Sequence, residues 1–160
     1  MEELKVVDKN SENQPLLLNS VEDDSYLRKT HHGRGLVWES HFVQGDPYQA
    51  IRWEKRTAKI AKSDGTTVFE QRNVEVPDFW SQTATDIVAS KYFRKPFGVP
   101  VKESSARQMV DRVAETISKW GWQDGYFASE QDHLNFCHDL KWILINQYGA
   151  FNSPVWFNVG

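Results

Sequence analysis

Cysteine is almost missing from this chain: Cys137 is the single one in 160 residues. That excludes an internal disulfide and any multi-cysteine metal site made by the chain alone, and it sets a reducing, cytoplasmic setting as the expectation. An excess of positive charge is missing too. Lys and Arg number 19 against 22 Asp and Glu, for a formal net charge of -3, so no basic face of the kind that neutralises phosphates is expected, and nucleic-acid binding is disfavoured. No apolar run approaches the ~20 residues of a membrane span, so no membrane partner is expected. The opening Met1-Glu2-Glu3-Leu4-Lys5 lacks the basic-then-apolar order of a secretory signal.

What the chain has instead is aromatic mass: seven Trp, nine Phe and five Tyr at a mean hydropathy of only -0.62. Aromatics bury much area per residue, so a few can seal a small core or mark a docking surface. A length of 160 residues suits one domain with a core plus tails.

Residues 1–34 are polar, with acidic Glu22, Asp23 and Asp24 and one apolar knot at Leu16 to Leu18, and read as a disordered leader. The closing His31-His32-Gly33-Arg34-Gly35 reads as a mobile linker rather than a metal site, because adjacent side chains diverge and no third ligand has suitable spacing. Between Ile51 and Gln71 apolar residues alternate around Ser63-Asp64-Gly65, which predicts a β-hairpin. The chain then stays extended to Pro77, whose fixed φ and missing donor stop a strand and suit a helix start.

Three helices are predicted next. The first covers Asp78 to about Phe93, with Asp78 as N-cap and Ala84, Ile87, Val88 and Tyr92 on one face. The second opens at Ser104, carries Met109, Val110, Val113, Ala114, Ile117 and Trp120 on one stripe, sets Arg107, Asp111, Glu115 and Lys119 as i,i+4 neighbours, and ends on Gly121 as C-cap. The third begins at Ser129, with Asp132 as a capping-box-like partner, and runs to about Tyr148. It is apolar on two sides, Phe136, Cys137, Leu140, Ile143 and Leu144 on one and Trp142 and Ile145 on another, so it is expected to pack against its own domain and against something further on. The uncharged run from Gly149 to Gly160 reads as a strand buried on both faces, of the kind found in parallel α/β sheets, whose neighbours would be encoded beyond residue 160.

Few residues point to chemistry. Cys137, on the apolar stripe of a helix, reads as a buried structural thiol rather than a nucleophile. His133 and His138 are five apart and face different ways, unlike an i,i+4 metal pair, and His41 is isolated. The aromatic stretch Lys119 to Ser129 reads as a helix connection that plugs the core, in preference to a base-stacking platform. No phosphate-cradling glycine loop, nucleophile elbow or CxxC is present. Asn152-Ser153-Pro154 stays open between two readings: a plain turn, or a hydroxyl beside a proline-fixed backbone placed to hold an anion.

Longer strings are more specific. DIVASKYFRKPFGVP, ESSARQMVDRVAETISKWGWQDGYFAS and YGAFNSPVWFNVG, with GLVWESHFV, IRWEKRTAKI and VFEQRNVEVPDFWSQTATDIVAS upstream, resemble the N-terminal region of the adenosylcobalamin-dependent, class II ribonucleotide reductases over Gly35 to Gly160. The resemblance implies a mostly α fold with a small β-hairpin, an α+β N-terminal domain over 35–149, and the start of the catalytic α/β barrel over 150–160. It implies reduction of ribonucleotides, diphosphates foremost, to deoxyribonucleotides for DNA synthesis or repair. Cobalt–carbon homolysis would generate a cysteine radical in the barrel, a second cysteine pair would supply electrons, and an external thiol reductant such as thioredoxin would restore it.

Those cysteines would lie beyond Gly160, and Cys137 matches none of them, so no catalytic residue and no metal ligand is assigned in this chain. One position carries over: the serine of NSPVWFN lies at the nucleotide substrate in the family, which maps to Ser153. The full enzyme is expected to be a homodimer. The alternative reading is a stand-alone docking or regulatory module that completes a separate reductase chain by strand addition.

Overall fold

The computed structural model describes residues 35–95 and 102–160. The leader expected over residues 1–34 lies outside the described residues.

The hairpin forms from β1, Trp53–Ala61, and β2, Thr67–Pro77, paired antiparallel from Trp53 opposite Pro77 to Ala61 opposite Thr67. The turn relies on Gly65 at φ +84, a conformation that L side chains rarely adopt. The register shifts twice, between Arg56 and Ala58 and between Ile60 and Ala61, and opposite the first shift Asn73 sits at φ 57. That first shift is a bulge whose extra residue is of a type that tolerates the left-handed region. Period-two alternation aims Ala58, Val74 and Val76 inward, each fully buried.

Several helix boundaries differ from the sequence reading. Helix α1 is short, Gln82–Ile87, and its N-cap is Ser81, whose hydroxyl accepts the Ala84 N–H at 3.0 Å. Asp78 is drawn instead into an ion pair with Arg52. The chain then widens into a π-helical turn, Val88–Tyr92. Helix α2, Ala106–Gln123, starts one residue later than expected, because Ser105 and Gln108 close a reciprocal capping box. Its end is Asp124, not Gly121. Gly121 lies inside the helix, where the close approach of the Phe127 ring, 2.8 Å from where a Cβ would stand, accounts for the glycine.

Helix α3, Glu130–Ile145, begins as expected, with the Ser129 hydroxyl accepting the Asp132 N–H at 3.2 Å. Its two apolar sides are both covered, but the second cover comes from upstream. Helix α2 packs on one side, and the segment Gly35–Val43 straps the other, with Phe42 stacked on Trp142 at 4.3 Å and Trp38 edge-on to Phe136 at 5.2 Å. Leu36 exchanges backbone hydrogen bonds with Tyr126 and Ala128 to anchor the strap.

The core lies between the sheet and the helices, around Val74, Val76, Val110, Val113 and Ile145, all at most 1% exposed. Burying each such side chain stabilises the fold by about 1.5–3 kcal/mol. Trp80 joins it and donates its indole N–H to the Ile145 carbonyl at 2.9 Å.

The expected strand at the end of the chain is corrected to helix α4, Ser153–Asn158. Among the described residues the two sheet strands pair with each other, so a strand here would leave its backbone groups unmatched. A helix satisfies part of its backbone internally, and Pro154 in its first turn gives up no needed donor. Trp156 is buried in the core cluster.

Candidate functional site

Ser153 is the first residue of α4, half-buried, with its Oγ 3.0 Å from the Tyr92 hydroxyl. Tyr92 comes from the end of the π-turn, and such turns occur often at functional sites. Its ring stacks on Phe157 with centroids 5.3 Å apart. Asn152 is the exposed N-cap of α4, without a side-chain capping bond. The Asn-Ser-Pro stretch is therefore a helix start whose hydroxyl is directed to Tyr92.

Two arginines fix this segment. Arg112 on α2 donates through Nη1 to the carbonyls of Trp156 at 3.2 Å and Val159 at 2.7 Å, and through Nη2 to that of Tyr92 at 3.4 Å. Its Nε donates to Glu103 at 2.7 Å. Arg94 donates through Nη2 to the Phe157 carbonyl at 3.0 Å, and its backbone N–H is held by Glu103 at 2.8 Å. Helix α4 thus rests on charge-assisted bonds to its carbonyls, which suit the negative end of a helix.

Behind Tyr92 lies a cavity of about 320 Å³, lined by Trp80, Tyr92, Met109, Leu144, Phe151 and Trp156 among others. It is mostly apolar, with few polar groups, the usual character of a ligand pocket.

The other candidates do not come together. Cys137 is buried and burial pushes its thiol pKa up, which disfavours the thiolate. His133 stacks against Trp122, and burial with the nearby Lys141 charge pushes His138 down. Among the described residues no group of three His, Cys, Asp or Glu could hold a metal ion. Asp111 and Glu115 turn away from the i,i+4 pairing expected of them and meet Lys141 of α3 at 2.8 and 2.6 Å. Arg107 instead packs its guanidinium over the rings of Tyr48 and Trp53, at 4.7 and 4.8 Å from their centroids. In the Lys119–Ser129 connection Trp122 and Phe127 are buried, while Trp120 and Tyr126 are exposed.

His41 is not isolated. Its Nδ1 lies 3.2 Å from Asp139 Oδ2, and Asp139 also receives the Trp38 indole N–H at 2.9 Å and the Ser40 hydroxyl at 3.2 Å. Burial alone would raise the Asp139 pKa, but these donors outweigh it and hold the carboxyl below its usual range. This cluster ties the strap to α3.

Tyr92, Arg94, Glu103 and Arg112 were absent from the sequence-based site. Tyr92 carried a weak signal, as an aromatic with a polar tip on an otherwise apolar face. Arg112 and Glu103 carried none, because their partners lie in other elements.

With this geometry, the fold is a small α+β domain whose last element is clamped by arginines beside an apolar cavity. Residues 54–147 match the family model described as class II vitamin B12-dependent ribonucleotide reductase. A vitamin B12-dependent ribonucleotide reductase of Rhodopirellula baltica is 48% identical over 130 residues, covering 79% of this chain and 12% of that protein. One of Streptomyces coelicolor is 45% identical over 139 residues, covering 85% and 14%. One of Bradyrhizobium diazoefficiens is 37% identical, covering 71% and 12%. This chain belongs to the class II vitamin B12-dependent ribonucleotide reductase family and corresponds to its N-terminal region. It spans 12% to 14% of the length of these relatives. Among the described residues no helix is long and apolar enough to cross a membrane.

Proposed function

We propose that this chain is the N-terminal part of a cobalamin-dependent ribonucleoside-diphosphate reductase, which reduces ribonucleotides to deoxyribonucleotides for DNA synthesis or repair. In this reading residues 35–149 form the N-terminal domain and 150–160 lead into the catalytic barrel. The remainder of the chain supplies the radical and reducing cysteines, an external thiol such as thioredoxin restores them, and the working enzyme is a cytoplasmic homodimer. The observation that carries the reading is identity of 45% to 48% over most of this chain to relatives named for this activity.

Within it, Ser153 contacts the substrate. The residue is half-buried, and its hydroxyl stands clear of the capping of α4 and is bonded to a tyrosine fixed on the neighbouring element. A serine so placed donates one hydrogen bond to an anionic oxygen of the nucleotide while accepting another. A bond of this kind to a charged group contributes about 1.5–3 kcal/mol.

When bound, adenosylcobalamin would supply the radical. The residues described here do not fit that group by themselves. The corrin ring carries the cobalt in its own nitrogens, so bulk decides the fit, and the cavity of about 320 Å³ is at the lower end of small-ligand pockets, far below the bulk of a corrin. The cofactor's site is therefore assigned to the remainder of the enzyme.

Steady-state kinetics of the full-length reductase with Ser153→Ala tests the substrate contact. KM for the ribonucleotide is expected to rise roughly tenfold or more. An unchanged KM would show that Ser153 does not touch substrate.

A further inference from the structure

We propose that Tyr92 is a positioning residue for the reaction: its phenol sets the rotamer and the hydrogen-bond direction of the Ser153 hydroxyl, so that Ser153 presents its proton to the substrate. This rests on the reading of Ser153 as a substrate contact and adds a residue to it.

An unrestrained serine hydroxyl samples three staggered χ1 wells and rotates freely about its C–O bond. A hydrogen bond of 3.0 Å to Tyr92 selects one arrangement. Which way that bond runs decides what Ser153 can still do. A phenol gives up its proton to a hydrogen bond more readily than an alkanol, so the favoured direction is Tyr92 donating and Ser153 accepting. The serine proton is then left for a third atom, and the chain of two bonds polarises in the same sense, which strengthens donation to an anionic oxygen.

For this to work Tyr92 must itself be fixed, and three contacts fix it. Its ring is stacked on Phe157 at an interplanar angle of 24°. Its carbonyl accepts from Arg112 Nη2 at 3.4 Å. The π-turn it ends is closed by the Phe93 N–H donating to the Val88 carbonyl at 3.0 Å. Tyr92 also lines the apolar cavity. Nothing else about α4 calls for the Ser153 hydroxyl: its N-cap is Asn152 and no side chain caps the helix. A bond that did no more than stabilise would leave the serine dispensable for orientation, and the two roles separate in kinetics.

The experiment is a double-mutant cycle in the full-length reductase: wild type, Tyr92→Phe, Ser153→Ala and the double variant, each measured for KM and kcat with a ribonucleoside diphosphate and for thermal midpoint. Tyr92→Phe keeps the ring stack and removes the hydroxyl alone. It is expected to raise KM about three- to tenfold with kcat within about twofold and a nearly unchanged midpoint. The double variant is expected to match Ser153→Ala, because Tyr92 acts through Ser153. An unchanged KM in Tyr92→Phe, additive effects in the double variant, or a parallel loss of kcat and thermal midpoint would each overturn the positioning role. If Ser153→Ala raises KM while Tyr92→Phe does not, the role of Tyr92 falls and the substrate contact stands. If Ser153→Ala has no effect on KM, both fall.

Discussion

Arg112 and Glu103 form an ion pair at 2.7 Å with about a tenth of each side chain exposed, and the same guanidinium holds the carbonyls of Trp156 and Val159. The pair spans from the residues before α2 to the last turn of α4. Helix α4 stays on the domain through it.

Arg112→Met is therefore expected to cost about 3–5 kcal/mol, the usual penalty for leaving one member of a buried pair alone. Thermal denaturation should show a midpoint lower by roughly 10 °C or more. Arg112→Lys should recover little, since a single ammonium cannot span Glu103 and two carbonyls at once. A loss under about 1 kcal/mol in Arg112→Met would mean that α4 is held by its apolar contacts alone.

The strap over α3 should release in acid. The Asp139 carboxyl is held below its usual range by donors from the strap that outweigh its burial, and Asp132 by the Ser129 hydroxyl and the Trp38 N–H. Groups with depressed folded pKa values stabilise the fold above their unfolded value, here 3.8, and lose that contribution as pH falls through the folded one. Tryptophan emission should thus hold steady from pH 7 to about 5 and change below about 4. Asp139→Asn should weaken the strap at neutral pH by about 1–3 kcal/mol, read as faster proteolysis near Val43, and should flatten the acid transition.

Two glycines should differ sharply on substitution. A Cβ at Gly35 would meet the Phe127 backbone at 2.2 Å, whereas one at Gly121 would meet the edge of the Phe127 ring at 2.8 Å. A ring can tilt and a backbone cannot, so Gly121→Ala is expected to cost about 1–3 kcal/mol, reduced by the better helix propensity of Ala. Gly35→Ala should detach the strap from Phe127 altogether. Equal thermal midpoints in the two variants would contradict this ordering.

Cys137 should be slow to react. It is 6% exposed, and burial raises its thiol pKa. Maleimide labelling at pH 7 should run at least about tenfold slower than for a free thiol and recover that rate in denaturant.

How far the sequence foretold this structure follows the range of the interactions. The Ser129 cap, the turn at Gly65 and the stripe of α2 from Met109 to Ile117 rest on neighbours within one turn or one hairpin and could be read from local pattern, whereas Trp120, expected on that stripe, is 50% exposed. The strap could not: Asp139 gathers donors from Trp38, Ser40 and His41 at the far end of the chain, and no periodicity links them. Trp142 did announce a second covered face, yet not which segment covers it, and Ile145, expected beside it, faces the main core instead. The run from Gly149 to Gly160 reads as a strand because short apolar runs fit either element, and over Ser153–Asn158 backbone pairing decides for a helix. Ser153 itself was found through family likeness, while the residues that hold it, Tyr92 and Arg112, emerge only when α4 is placed against them.

The central claim is that these residues front a cobalamin-dependent reductase. The most direct measurement is ribonucleotide reduction, with and without cobalamin, by the native polypeptide isolated from its source with an antibody against residues 35–160. The account predicts a polypeptide several times longer than 160 residues that forms deoxyribonucleotides only when cobalamin is supplied. A polypeptide that forms none with cobalamin present, or forms them equally without it, would contradict the account.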